Sequence, residues 1–330
     1  MGAASVSTPG GVLMNRQVGA WIGAAALVAA QSLSAATVVT GEIPISEVSG
    51  VALLPGDRLL VVADDPDPDP GPVVFVLDDT SKVLMSGKVK KEDFKPIALK
   101  DEVKDLEEVT WDRESRAFLV TSHSRNSRGE VKPKRSAIVR LTLKDGDFKQ
   151  QSLPDLQIPC ELEKSRERTA AQSGFNIEGA AWSREGHLLL GVRSPTHTAP
   201  EERKKPGSNE DAILLEINDL DADPLKVTVV DNLRLNGSGI RGMFYDDKEQ
   251  GLWILAGLSP DLPDGLVRKW DLWFRHDNGQ LKQMTLPQEA ATLDNAESVT
   301  RVSAGDVDFL LVVEDRTKAS RYLLFPVPKP

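Results

Sequence analysis

One short phrase returns five times along the 330-residue chain: VSGVALLPGDRLLVVADD from Val48, LEEVTWDRESRAFLVTSHS from Leu106, IEGAAWSREGHLLLGVRSP from Ile177, IRGMFYDDKEQGLWILAGLSP from Ile240 and AESVTRVSAGDVDFLLVVED from Ala296. Aligned, the phrases set Ser49, Glu107, Glu178, Arg241 and Glu297 in one column, with successive steps of 58, 71, 63 and 56 residues. A fixed period of this size marks a repeat architecture, in which no unit buries its apolar face alone.

Each phrase holds two apolar runs joined by a turn, and further short runs follow it. Pro72–Leu77 and Val83–Val89 follow the first phrase, and Ala137–Leu143 and Phe148–Leu153 the second. Ala212–Ile217 and Val227–Val230 follow the third, Lys269–Arg275 and Leu281–Leu286 the fourth, and Tyr322–Val327 the fifth. These runs are bounded by Gly, Asp, Asn or Pro, as strands are. Four strands per unit predict an all-β, five-bladed β-propeller. A sixth blade is the alternative if Asp155–Phe175 conceals a degenerate one, although its ELEKSRERTAAQ stretch before Gly174 reads as a short surface helix. The fifth unit lacks a fourth strand, and Thr37–Ile45 (TVVTGEIPI) alternates like one without a unit of its own. It is expected to close the ring and so cover the edges an open stack would expose.

The first 36 residues read as a secretory signal: Arg16 in a basic segment, an apolar run Val18–Ala30, then Ser34, Ala35 and Ala36. The run is too short to span a bilayer, which needs about 20 residues. Cleavage near Ala36 would leave 37–330 as a single propeller domain without a membrane anchor, in the periplasm or outside the cell. The lone Cys160 has no internal disulfide partner. Loss of the leader removes one basic residue and no acid, taking 40 basic residues to 39 against 50 acidic ones, a net charge of −11. That balance argues against a nucleic-acid partner, and a monomer is expected.

In a propeller the start of each first strand and the end of each second strand lie on one face. The first column, Ser49, Glu107, Glu178, Arg241 and Glu297, is followed mostly by small residues, Gly50, Gly179, Gly242 and Ser298; Glu108 breaks the pattern. The ends of the second strands supply Asp64, His123, Arg193 with Ser194, Ser259, and Glu314 with Asp315. These residues are expected to converge on a polar mouth. Arg193 and Arg241 either serve a ligand there or neutralise the glutamates in an ion network that ties blades together. Trp111, Trp182 and Tyr245, each four residues past the column, are expected to pack between blades.

DLEEVTWD (105–112), TSHSRNSRGE (121–130), NIEGAAW (176–182), LLLGVRSP (188–195) and GIRG (239–242) make the chain resemble an uncharacterised bacterial propeller family, a domain of unknown function akin to the esterase-like phytase propellers. The likeness spans nearly the whole mature chain and implies phosphate-ester chemistry by analogy. Such hydrolysis needs cations on the non-bridging oxygens and a group that activates water. Arg193, Arg241, Ser194 and the basic loop containing Arg125, with Glu297 and Glu314, would bind the ligand. His123 would move a proton beside Glu178 and Glu107, the other catalytic candidates. Glu107, Glu178 and Glu297 would hold a hard metal ion, Ca²⁺ foremost, and Asp64 with Asp65 forms a second candidate site. No HExxH, GxSxG, CxxC or P-loop is present. The chain is therefore expected to be a phosphoester hydrolase-like propeller or, alternatively, a non-catalytic periplasmic module that captures an anionic small molecule or peptide.

Overall fold

The computed structural model describes residues 38–64, 73–100, 103–124, 132–144, 147–157, 176–193, 212–257 and 270–330. The expected leader lies outside them. After β1 (Val39–Ile43) come five four-stranded antiparallel blades. Blade 1 is β2 (Val48–Leu54), β3 (Arg58–Ala63), β4 (Val74–Leu77) and β5 (Phe94–Pro96). Blade 2 is β6 (Leu106–Trp111), β7 (Arg116–Thr121), β8 (Ile138–Lys144) and β9 (Asp147–Ser152). A two-residue strand, β10 (Leu156–Gln157), precedes blade 3, which is β11 (Ile177–Trp182), β12 (Leu188–Val192), β13 (Ala212–Ile217) and β15 (Thr228–Leu233). β14 (Leu225–Lys226) pairs in parallel with β10. Blade 4 is β16 (Gly239–Asp246), β17 (Gly251–Gly257), β18 (Trp270–His276) and β19 (Leu281–Gln283). Blade 5 is β20 (Ala296–Ala304), β21 (Val307–Glu314), β22 (Ser320–Pro326) and β1.

The ring therefore closes as the sequence predicts: β1 runs antiparallel to β22, with Gly41 opposite Tyr322. Strands from both chain ends share one blade, so the last gap is joined by backbone hydrogen bonds. The expected strand at Val83–Val89 is instead, over its first half, the end of helix α1 (Thr80–Met85), and the fourth strand of blade 1 lies later, at Phe94–Pro96. Thr80 and Leu84, four residues apart, face inward, and the Leu84 carbonyl accepts the Tyr322 hydroxyl at 2.6 Å. An apolar run this short fits either period, and packing against blade 5 selects the helix. Most of Asp155–Phe175 lies outside the described residues.

Second strands are buried on both faces, which is why RLLVVA and GLWILAG read as nearly unbroken apolar runs. The buried side chains fall into five clusters, one between each pair of adjacent blades, including the closing pair of blades 1 and 5. Trp182, Tyr245 and the partly buried Trp111 each join one of these clusters, as expected. The first strands β2, β6, β11, β16 and β20 contact one another cyclically around the axis.

All five blades share one irregularity. The pairing of first and second strands slips by one residue between Val48 and Gly50, Leu106 and Glu108, Ile177 and Gly179, Ile240 and Gly242, and Ala296 and Ser298. The extra residue in each bulge is the column residue itself. A bulge leaves its residue outside the ladder and re-aims its side chain. The fivefold column is thus a fivefold bulge.

Candidate functional site

The bulges set Ser49, Glu107, Glu178, Arg241 and Glu297 at the entry of the first strands. Backbone hydrogen bonds define what lies beside them. The N–H groups of Asp64, Ser122, Arg193 and Asp315 donate to the carbonyls of Glu47, Asp105, Asn176 and Asn295, at 2.9, 2.9, 2.9 and 3.2 Å. Those four acceptors stand two residues before the column, so a second polar tier lies under the first. The hydrogen bonds also fix the neighbouring column as Asp64, Ser122, Arg193 and Asp315. His123 and Glu314 sit one residue off that register, and a one-residue step turns a side chain to the other face.

Glu314 is taken up by blade 5, accepting from Arg321 Nη2 at 2.9 Å and from the Asp294 N–H at 2.6 Å. His123 is buried, in left-handed backbone with φ 54°. Its Nδ1 lies 2.8 Å from the Thr121 carbonyl, which can only accept, so Nδ1 carries a proton and donates. Arg125, Ser194 and Asp65 lie outside the described residues.

Two of the three glutamates expected to hold a metal meet guanidinium groups. Arg241 Nη1 donates to Glu297 Oε1 at 2.6 Å, and its Nε lies 3.5 Å from Glu178 Oε2. Arg193 Nη1 and Asn176 Nδ2 both donate to Glu178 Oε1, and Asn295 Nδ2 donates to Glu297 Oε1 at 2.6 Å. Burial still raises Glu178 to about 8 against both arginines, and it raises Glu297. At the first column position the Ser49 hydroxyl donates to the Leu106 carbonyl at 2.5 Å, joining blades 1 and 2.

Glu107 differs. Among the described residues it makes no hydrogen bond or ion pair, and its carboxyl lies with those of Asp64 and Asp105, oxygens within 4.8 Å of one another. Burial, then Glu178, Asp64, Glu297 and Asp105, push it well above the usual carboxylate range. Asp105, at φ 64°, accepts from Arg135 Nη1 at 2.7 Å, from Ser124 Oγ at 2.9 Å and from Ser122 Oγ. Three donors occupy three of the roughly four lone-pair positions of a carboxylate, which leaves one directed contact. Asp315 is raised to about 8 by burial and then by Glu47, Glu297 and Asp64.

The described mouth thus gathers seven carboxyl groups, Glu47, Asp64, Asp105, Glu107, Glu178, Glu297 and Asp315, against the guanidinium groups of Arg135, Arg193 and Arg241. An all-oxygen carboxylate set is what a hard divalent cation takes, and oxygens within 4.8 Å of one another lie close enough to share an ion held at the 2.3–2.6 Å of Ca²⁺–oxygen contacts. Asp64 and Glu107 were each recognisable from the repeats, in separate candidate sites. Asp105 and Glu47 were not, although the same alignment shifted by two residues passes through both.

Glu108 explains its own break with the small-residue pattern. Fully buried, it fills the axis that Gly50, Gly179, Gly242 and Ser298 leave open. A Cβ on Gly50 would stand 2.8 Å from both the Glu108 Cα and Oε1. Its Oε1 accepts from the Val109 N–H at 3.0 Å and the Ser298 hydroxyl at 2.9 Å, while burial raises its pKa well above the ordinary value. It lies between the mouth and the far end of the channel.

A family model described as "protein of unknown function (DUF3616)" matches residues 155–323, from β10 into β22. The chain belongs to this family. The DUF3616 match takes in Asn176, Glu178, Arg193, Arg241, Asn295, Glu297 and Asp315 and leaves out Asp64, Asp105 and Glu107. No curated protein matches the chain. Among solved structures it is similar to a glucose dehydrogenase, at 14% identity over 88% of this chain and 99% of that one, TM-score 0.45. A GH43 β-1,3-galactosidase matches at 12% identity over 86% and 91%, TM-score 0.48, and a streptogramin B lyase at 11% over 87% and 98%, TM-score 0.39. Neighbours this distant differ in chemistry and indicate no activity for the DUF3616 chain.

Proposed function

We propose that the mouth binds a divalent cation, Ca²⁺ foremost, through Asp64, Asp105 and Glu107, and on it the phosphate of a small ester that the protein hydrolyses. The observation that carries this is the charge imbalance of the described mouth: seven carboxyl groups against three guanidinium groups, with Glu107 making no hydrogen bond or ion pair among the described residues. A bare mouth of this kind repels phosphate, and a bound cation reverses the local sign. The cation supplies charge for the non-bridging oxygens. Arg193, at the rim, is placed to share a donor between Glu178 and an oxyanion. The resemblance to esterase-like phytase propellers supports the same substrate class. Export of the chain, expected from residues 1–36, supports a site tuned to the 10⁻⁴–10⁻³ M range of extracellular calcium modules.

Capture without turnover is the second reading, favoured by the closure of both arginines on Glu178 and Glu297. A panel of phosphomonoesters, p-nitrophenyl phosphate first, incubated with the protein in Ca²⁺ or EGTA, separates the two. Hydrolysis predicts phosphate release that needs Ca²⁺ and disappears in Glu107→Gln. Calcium-dependent retention of the ester without release establishes capture. The proposal fails if Ca²⁺ changes neither release nor retention.

A further inference from the structure

The outer rim between blades 1 and 2 holds a cleft away from the mouth. Arg58 opens β3, Asp78 follows the end of β4 and Asp147 opens β9, and the antiparallel pairing sets all three toward the face opposite the mouth. A cleft of about 540 Å³ lies among them, with Lys95 and Ile97 on the blade 1 side and Phe148 on the blade 2 side. Small-molecule sites occupy roughly 300–1,000 Å³. Val76, Ile97 and Phe148 also belong to the apolar cluster that joins the two blades, so the cleft continues that core outward.

One cation of this wall has no counter-ion. The ladder that sets Leu59 opposite Leu77 makes Asp78 the cross-strand neighbour of Arg58, yet the Asp78 carboxyl pairs with Lys95 at 2.5 Å. Among the described residues Arg58 makes one side-chain contact, its Nε donating to the Pro55 carbonyl of the preceding turn at 3.1 Å. That bond holds the stem and leaves both Nη groups without a protein acceptor. Arg58 is only partly buried, so its guanidinium lines the cleft with surface still open to a ligand. The paired Nη donors of a guanidinium match the two oxygens of a carboxylate. Asp147, exposed on the opposite wall, and Asp78 repel a second negative charge, which favours a carboxylate over a phosphate dianion.

We infer that this cleft is a second binding site, independent of the cation mouth, for a small monoanionic carboxylate with an alkyl or aryl body. The carboxylate accepts from the Arg58 Nη groups, and the body lies along Ile97 and Phe148.

The test uses 3-phenylpropionate and its neutral amide, 3-phenylpropanamide, as probes. Each is titrated at pH 7.5 in EGTA into full-length protein carrying ¹³C-labelled isoleucine δ1-methyl groups, and the Ile97 signal is assigned by its loss in Ile97→Val. 3-Phenylpropionate is expected to shift that signal saturably and to bind about tenfold more tightly than the amide, the worth of a charge-assisted hydrogen bond. Arg58→Met, which keeps the stem and removes the guanidinium, should bring 3-phenylpropionate down to the affinity of the amide and leave the amide unchanged, which also shows that the variant cleft is intact. Phe148→Ala should weaken both probes. The inference is overturned if neither probe moves the Ile97 signal, if the amide binds as tightly as the carboxylate, or if Arg58→Met leaves the preference for the carboxylate in place.

Discussion

Glu107 and Glu108, adjacent in sequence, have opposite surroundings. Glu108 is enclosed at the axis, its carboxyl fed by the Ser298 hydroxyl and the Val109 N–H, whereas Glu107 faces other acids. Glu108→Gln keeps the shape and removes a carboxyl whose pKa burial pushes well above the usual range, so its stability should lie within about 1 kcal/mol of wild type at pH 7. Glu108→Ala empties the axis and should cost about 2–4 kcal/mol in a denaturant titration. The pH dependence follows from the same residues. Glu178 and Asp315 have folded pKa values raised to about 8. Between the ordinary carboxylate range and about 8 the folded state therefore binds more protons than the unfolded one, and stability falls as pH rises. Thermal unfolding in EGTA should show a melting temperature that drops from pH 5 to pH 8. Glu107→Gln should flatten that slope and be more stable than wild type at pH 8, by about 1 kcal/mol. A melting temperature that climbs through this window would refute the assignment of raised carboxyls.

At the scale of elements, the bulge is the unit that builds the mouth, and the small residue after it is what lets five first strands meet. A Cβ on Gly242 would stand 2.3 Å from the Glu297 carbonyl oxygen, which is backbone of the next blade and cannot swing aside. Gly242→Ala should cost about 2–4 kcal/mol, far more than an alanine at a surface turn, measurable by chemical denaturation. The sequence made these elements legible because apolar strand runs recur with turn residues between them, and the column was visible because its chemistry differs from its flanks. Its neighbour was less so. The ends of the second strands shade from apolar to polar over two residues, and only the backbone ladder decides that Ser122 and Asp315, rather than His123 and Glu314, carry the register. The tier at Glu47, Asp105, Asn176 and Asn295 shares a position and no single chemistry, so no pattern of residue types exposes it. Val83–Val89 was misread for a third reason, since a run that short carries no resolvable period.

For the whole molecule, stability depends on closing a ring, and closure rests on β1. Ile43 is fully buried in the cluster between blades 5 and 1, and β1 hydrogen-bonds along β22. Deleting residues 37–45 exposes the β22 edge and opens that cluster, so the shortened chain should lose cooperative unfolding and aggregate at concentrations where the intact domain stays dispersed. The intact ring holds two ends of unlike character: a mouth crowded with carboxyls and a far cavity lined by aromatic rings, with Glu108 between them. Calcium affinity at the mouth is the most direct test of the account. Isothermal titration of metal-free protein with Ca²⁺ at pH 7.5 should give one saturable site with a dissociation constant near or below 1 mM, and saturation at 100 times that constant should stabilise the fold by about 2.7 kcal/mol. Glu107→Gln should abolish both effects while remaining folded. A wild-type protein that takes up no Ca²⁺ at millimolar concentration, or a Glu107→Gln variant that binds it equally well, would contradict the account.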